Sequence, residues 1–183
     1  MWEVEASLKF LEDAAEEIET YLLSKDVIRA QSGRLSLSIG LISLNLRWLR
    51  TTVEGQDQAR LQSVESKFAI VRDKWRVAWE RKAAAELRSR LNLWRGYLTD
   101  LESRPGLGSS YPQEVRNRAM AIDLVDAAGN QNEIKTLDAS LDAIDSRLRD
   151  RFEPGKFVWE QAPESAFPAE TFWFLYGRPK SRS

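Results

Sequence analysis

The stretch QDQARLQSVESKFAIVRDKWRVAWERKAAAELRSRLNLWRGYLTDLES, residues 56–103, decides the reading of this chain. Its apolar residues are Leu61, Val64, Phe68, Val71, Trp75, Trp79, Ala83, Leu87, Leu91, Trp94, Leu98 and Leu101. Steps of three and four throughout place them on one stripe of an amphipathic helix. The steps alternate at both ends but are all fours from Val71 to Leu91. A run of fours drifts off the heptad, so a bend or a change of supercoil is expected there. Straight, the 48 residues of 56–103 would extend roughly 70 Å. A compact chain of this length has a radius of gyration of only about 16 Å. The pattern therefore predicts a broken helix, an elongated coiled-coil-like molecule, or a second chain covering the protruding end.

The neighbouring segments read the same way. In residues 2–24, Val4, Leu8, Leu11, Ala15, Ile18 and Leu22 follow a 4-3-4-3-4 spacing. Seven acids lie among them (Glu3, Glu5, Glu12, Asp13, Glu16, Glu17, Glu19) against Lys9 alone. In residues 27–53, Leu35, Leu37, Ile39 and Leu41 alternate with small residues as a strand would. Leu35, Ile39, Ile42, Leu46, Leu49 and Val53 also fit a helix, with a second stripe at Leu37, Leu41, Leu44 and Trp48. Length favours a helix, because strands rarely extend so far. The serines and Gly40 then permit close helix approach.

Arg104–Tyr111 is a loop punctuated by Pro and Gly. Pro112 suits a first helical turn, with Glu114 complementing its dipole. Val115, Ala119, Ile122 and Val125 mark a helix stopping near Gly129-Asn130. Ile134, Leu137, Leu141, Ile144, Leu148 and Phe152 mark another, ended by Pro154-Gly155. Beyond it, aromatics crowd between Phe152 and Tyr176, and Pro154, Pro163, Pro168 and Pro179 forbid a continuous helix. Lys156–Trp159 and Thr171–Tyr176 are strand-like, and Ser181-Arg182-Ser183 is expected to fray. The expected fold is all-α: an elongated antiparallel bundle of about five helices, one very long and bent. It forms a domain over residues 1–153. Residues 154–183 form an aromatic extended strap or short β-hairpin packed on it.

Composition narrows function by exclusion. The chain has 183 residues and no cysteine, which removes disulfides, thiolate metal sites and cysteine nucleophiles. It has no histidine, which removes Ser-His-Asp chemistry and imidazole metal sites. A formal net charge of -1 is too small for binding nucleic acid or anionic lipid by bulk charge alone. The longest uncharged apolar run, Leu35–Leu46, is too short to span a bilayer. The acidic start, Met1-Trp2-Glu3, lacks a secretory signal's basic region, so the expected location is the cytoplasm.

Four groups of residues are functional candidates. Arg72, Lys74, Arg76, Arg81, Lys82, Arg88, Arg90 and Arg95, with Lys67, form a basic helix face interleaved with tryptophans, a candidate partner or nucleic-acid surface. The competing reading is electrostatic. Helix 2–24 carries net -6 and residues 67–95 net +6, so antiparallel packing of the two would neutralise both. Asp138, Asp142 and Asp145 share a helix face. With Asp123, Asp126 and the acids of the first helix, they are weak candidates for a Mg²⁺ or Mn²⁺ phosphohydrolase site. Gly106-Leu107-Gly108-Ser109-Ser110 has phosphate-loop composition only, with no preceding strand and no Gly-Lys-Ser/Thr. Phe172, Trp173, Phe174 and Tyr176 either close the fold or dock a partner. The leading expectation is a non-enzymatic scaffold or adaptor that binds a protein partner or itself and needs no cofactor.

Overall fold

The computed structural model describes residues 3–29, 36–103, 107–129, 132–160 and 162–180. It is mainly α: α1 (Val4–Leu23), α2 (Ile39–Leu49), α3 (Gly55–Lys74), α4 (Arg76–Ser103), α5 (Tyr111–Ala127) and α6 (Asn132–Arg149). A small antiparallel sheet follows, formed by β1 (Phe152–Phe157) and β2 (Tyr176–Pro179). Six helices among the described residues replace the expected five, because the long pattern is two helices. The interruption is Trp75, at φ -116° and ψ 33°. Regular bonds resume on either side, Trp75 N–H to Val71 O and Trp79 N–H to Trp75 O, each 2.9 Å.

The run of fours explains the two partners of this bent helix. Each four-residue step overshoots a full turn by about 40°, so five steps carry the stripe about 200° around the axis. Leu61, Val64, Phe68 and Val71 are buried on α3, which packs along α1. Ala83, Leu87, Leu91 and Trp94 are buried on α4, whose most extensive interface is with α5. The apolar length that suggested a second chain is thus covered within this one.

The charge match between the first helix and the basic helix is present, but its direction is reversed from expectation. Arg60 bridges Glu5 and Glu12 at 2.7 and 2.9 Å, Lys67 bridges Glu16 at 2.6 Å, and Lys74 bridges Glu19 at 3.1 Å. The partners rise together in sequence, so α1 and α3 are parallel. Antiparallel packing is found instead between α4 and α5, where Arg90 meets Asn117 and Tyr97 reaches Leu107. Exposed pairs of this kind stabilise little individually; their contribution is to fix register. Beyond them Lys82 donates to the carbonyls of Ser24 (2.9 Å) and Asp26, and lies 4.6 Å over the Tyr21 ring. A cation thereby meets carbonyls at the end of α1, as helix termini favour.

Residues 27–53 resolve into both alternatives. Leu37 forms an isolated antiparallel bridge with Arg29, and the helix begins only at Ile39; Leu35 lies outside the described residues. A buried carboxylate sets that start. Glu86 is fully buried and accepts from Ser38 Oγ (2.8 Å), the Gly40 backbone N–H (3.0 Å) and the Arg90 guanidinium (2.9 Å). Ser38 Oγ also accepts from Leu41 N–H, as an N-cap does. Gly40 does permit close approach: a Cβ there would stand 2.8 Å from Glu86 Oε1 and 3.3 Å from Leu124.

The C-terminal segment departs from the expected strand positions. Phe152 opens β1 instead of ending the preceding helix, and Trp173–Leu175 is a 3₁₀ turn. Phe152 pairs with Pro179, Pro154 with Gly177, and Phe157 with Tyr176, with an irregularity between Pro154 and Phe157. Gly177 sits at φ +147°, and a Cβ there would fall 2.2 Å from Glu153 O, so only glycine fits. Of the predicted loop, Leu107–Ser110 is a 3₁₀ turn leading into α5, with Pro112 and Glu114 in its first turn as expected. Residues 104–106, Asn130 and 181–183 lie outside the described residues.

Two predictions follow from these buried polar groups. Glu86→Ala takes the carboxylate from Arg90 and the acceptor from the Gly40 N–H, and should cost about 3–5 kcal/mol in urea unfolding. Gly40→Ala should cost about 1–3 kcal/mol by steric overlap alone. Separately, burial raises the phenol pKa values of Tyr21, Tyr97 and Tyr111 above the usual 10. Above pH 10 the unfolded chain releases these protons while the folded chain keeps them, so stability falls as pH rises. Lys82, whose pKa burial lowers, acts in the opposite direction. Melting temperatures should therefore drop above about pH 10, and Tyr111→Phe should lessen the drop.

Candidate functional site

Four of the nine residues of the basic face are engaged inside the molecule. Lys67 and Lys74 pair with α1, and Lys82 binds the carbonyls beyond it. Arg90 pairs with Glu86 and Asn117. Arg95 donates to Asn92 and is exposed, as is Arg88. Arg72, Arg76 and Arg81 are exposed with no ion pair among the described residues. The interleaved Trp79 and Trp94 are buried, so neither presents a face on which a base could stack. Trp94 instead stacks on Tyr97 at 5.6 Å.

Of the aspartates of α6, Asp142 and Asp145 stand in different surroundings. Asp145 is buried and held by Arg118 at 2.7 Å through two guanidinium nitrogens. Asp142 is exposed, and the side chain of Asp138 lies outside the described residues. Asp123, on α5, pairs with Arg47. Among the described residues no three acidic side chains gather as a metal would require.

The aromatic tail faces inward, and three helices hold it. Phe172 and Phe174 are fully buried; Trp173 and Tyr176 are half-buried. Each of three successive rings meets a guanidinium. Arg47 of α2 lies 4.9 Å from the centre of Phe172, Arg149 of α6 lies 3.8 Å from that of Trp173, and Arg118 of α5 lies 4.6 Å from that of Phe174. Cation–π contacts of this kind strengthen as they lose water. Two backbone acceptors add to them: Tyr111 Oη donates to Phe174 O at 2.6 Å, and Trp159 Nε1 to Pro112 O at 2.7 Å. Phe167 packs edge-on against both Trp159 and Phe172, closing the cluster. Burying Phe172, Phe174 and Phe167 supplies much of the apolar surface that the helices alone leave open.

One cleft stands apart from this packing. It has a volume of about 610 Å³ and lies between α2, α3 and α5, with Trp79 of α4 at one wall. That is the size of a small-ligand site. Ile42, Leu46, Phe68, Ala69 and Ala127 supply its apolar lining. It exists because α2 packs mainly on α5 and touches α3 little. Two ion pairs tie its walls together, Arg47 with Asp123 and Arg50 with Glu65 (2.6 Å). Arg72 and Asp126 also line it, exposed, their side chains without a hydrogen bond or ion pair among the described residues. The Trp79 indole N–H is buried with no acceptor among the described residues.

Of these residues Arg72, Asp123 and Asp126 were sequence candidates, though for other roles. Arg47, Arg50 and Glu65 were missed. A signal for two of them was present: Arg47 and Arg50 are the only charges in the apolar run from Ile39 to Arg50. Charges three residues apart at the end of so apolar a helix need partners from neighbouring elements.

Compared with protein-family models, curated proteins and solved structures, the chain matches none. Among the described residues no helix is long and apolar enough to cross a membrane.

The burial order in the tail sets a stability prediction. Phe174→Ala should cost about 3–5 kcal/mol, as for a fully buried aromatic. The half-buried Trp173 should cost less on truncation to Ala, contrary to its prominence in the sequence. Deleting residues 154–183 should leave a chain that melts far lower or precipitates. Chemical unfolding of the two variants, with circular dichroism and solubility of the truncation, checks all three. A truncated protein that melts like the full chain would make the tail a peripheral docking element.

Proposed function

We propose that this chain is a non-enzymatic helical adaptor that acts by binding another protein, a segment of which seats in the cleft between α2, α3 and α5. The cleft carries this reading. It is an opening of about 610 Å³ in which the accessible apolar residues Leu46, Ala69 and Ala127 stand among six charged side chains. Interaction sites combine apolar and charged groups in this way. Absence of histidine and cysteine supports a binding role over catalysis. So does the dispersal of the acidic candidates, with Asp145 committed to Arg118 and Asp142 facing solvent. The nucleic-acid alternative has less support, because Lys67, Lys74, Lys82 and Arg90 are engaged by α1, backbone carbonyls and Glu86, and Trp79 and Trp94 are buried. Self-association is also less favoured than a different partner, since the apolar stripe of α3 and α4 that called for a second chain is covered within this one.

The test is selection from a phage-displayed library of random octapeptides. Peptides should be enriched on the immobilised full chain. Ala69→Trp fills the cleft from an exposed position on α3. It should weaken those peptides by about tenfold or more, roughly 1.4 kcal/mol, without lowering the melting temperature. No enrichment, or peptides that bind the Ala69→Trp protein equally well, would overturn the proposal. Light scattering that shows a dimer dissociated by Ala69→Trp would replace the partner with a second copy.

A further inference from the structure

Six charged side chains line the cleft, and they are not equivalent. Both arginines of α2 are already neutralised, Arg47 by Asp123 of α5 and Arg50 by Glu65 of α3. These two pairs tie α2 to the elements on either side of it. The other two charges, Arg72 and Asp126, have no such role. They stand on different walls, Arg72 on α3 and Asp126 on α5, are opposite in sign, and do not pair with each other. Whatever enters between them meets one unpaired cation and one unpaired anion.

Three kinds of occupant can be compared by electrostatics alone. A hydrocarbon segment would strip water from both charges and return nothing. A segment with one kind of charge would satisfy one wall and be repelled by the other, and like-charge juxtaposition is a strong source of discrimination. A segment carrying both charges around an apolar centre satisfies both walls and uses the accessible lining of Leu46, Ala69 and Ala127. We infer that the segment bound in this cleft is bipolar: an apolar side chain flanked by an acidic group facing Arg72 and a basic group facing Asp126. This rests on the docking reading above, and it names the chemistry of the partner.

Both charges are exposed, so their effect is on selectivity more than on total affinity. Charge reversal reads that directly. The same octapeptide library is selected in parallel on the wild-type chain, on Arg72→Glu and on Asp126→Arg. Both positions are solvent-facing on helices, and melting temperatures check that each variant is folded. Wild-type selection should return peptides with one acid and one base around an apolar residue. Arg72→Glu should shift enrichment to peptides with two bases, and Asp126→Arg to peptides with two acids. Synthetic wild-type-selected peptides should lose about fivefold in affinity on either variant, and each variant's own peptides should regain it.

The outcomes separate the two proposals. Peptides blocked by Ala69→Trp but with the same charge composition on all three proteins overturn the bipolar inference and leave the docking reading in place. Peptides indifferent to Ala69→Trp, or no enrichment on the wild-type chain, overturn both.

Discussion

A single buried carboxylate organises the helices. Glu86 has no contact with solvent, and its oxygens receive a serine hydroxyl, a backbone N–H and an arginine. A charge in such a place is tolerable only when its hydrogen bonds are complete. Completing them requires α2 to begin where it does, with Ser38 and Gly40 directed at α4. Gly40 also brings α2 within contact of Leu124 on α5. Arg90, held by Glu86, continues to Asn117 on α5. One polar hub thus specifies how α2, α4 and α5 meet, where apolar packing alone would accept several alignments.

Guanidinium groups do comparable work at the other end of the chain. Arg47 and Arg118 each pair with a carboxylate and also face an aromatic ring of the tail. The carboxylate fixes the plane of the guanidinium, and the ring covers that plane with apolar surface. A lysine would supply the charge but not the flat fork that serves both contacts. Arg47 joins the two regions of interest, since it lines the cleft and holds Phe172. The cleft itself follows from an imbalance in packing: α2 leans on α5 and leaves a gap towards α3. The Arg50–Glu65 ion pair bridges that gap without filling it.

Much of the helical content was legible because periodicity is a local property. The stripes of residues 2–24 and 56–103 marked α1, α3 and α4, and Pro112 and Glu114 marked the start of α5. The run of fours from Val71 foretold a bend, found at Trp75. Residues 27–53 were harder because two stripes overlapped an alternating stretch; the structure uses Leu37 in a bridge and Ile39–Leu49 in a helix. The tail's aromatics announced burial, but strand positions there depend on pairing across about twenty residues, with only Gly177 able to adopt its backbone geometry.

Sequence alone determined the absence of histidine and cysteine chemistry, the mainly helical character, the opposed charges of α1 and the basic helix, and an aromatic segment that must be covered. These follow from residue types and from spacing along the chain. Only the tertiary structure decided that α1 and α3 run parallel, because charge balance is the same in either direction and only the order of Glu5, Glu16 and Glu19 against Arg60, Lys67 and Lys74 distinguishes them. It also decided which charges are free. Arg72 and Arg90 look alike in the sequence, both basic and both on one long pattern. Arg90 falls beside Glu86 and Asn117, whereas Arg72 borders an open cleft. Partnership of a charge depends on what lies within a few ångströms in space, and spacing along one helix carries no information about that.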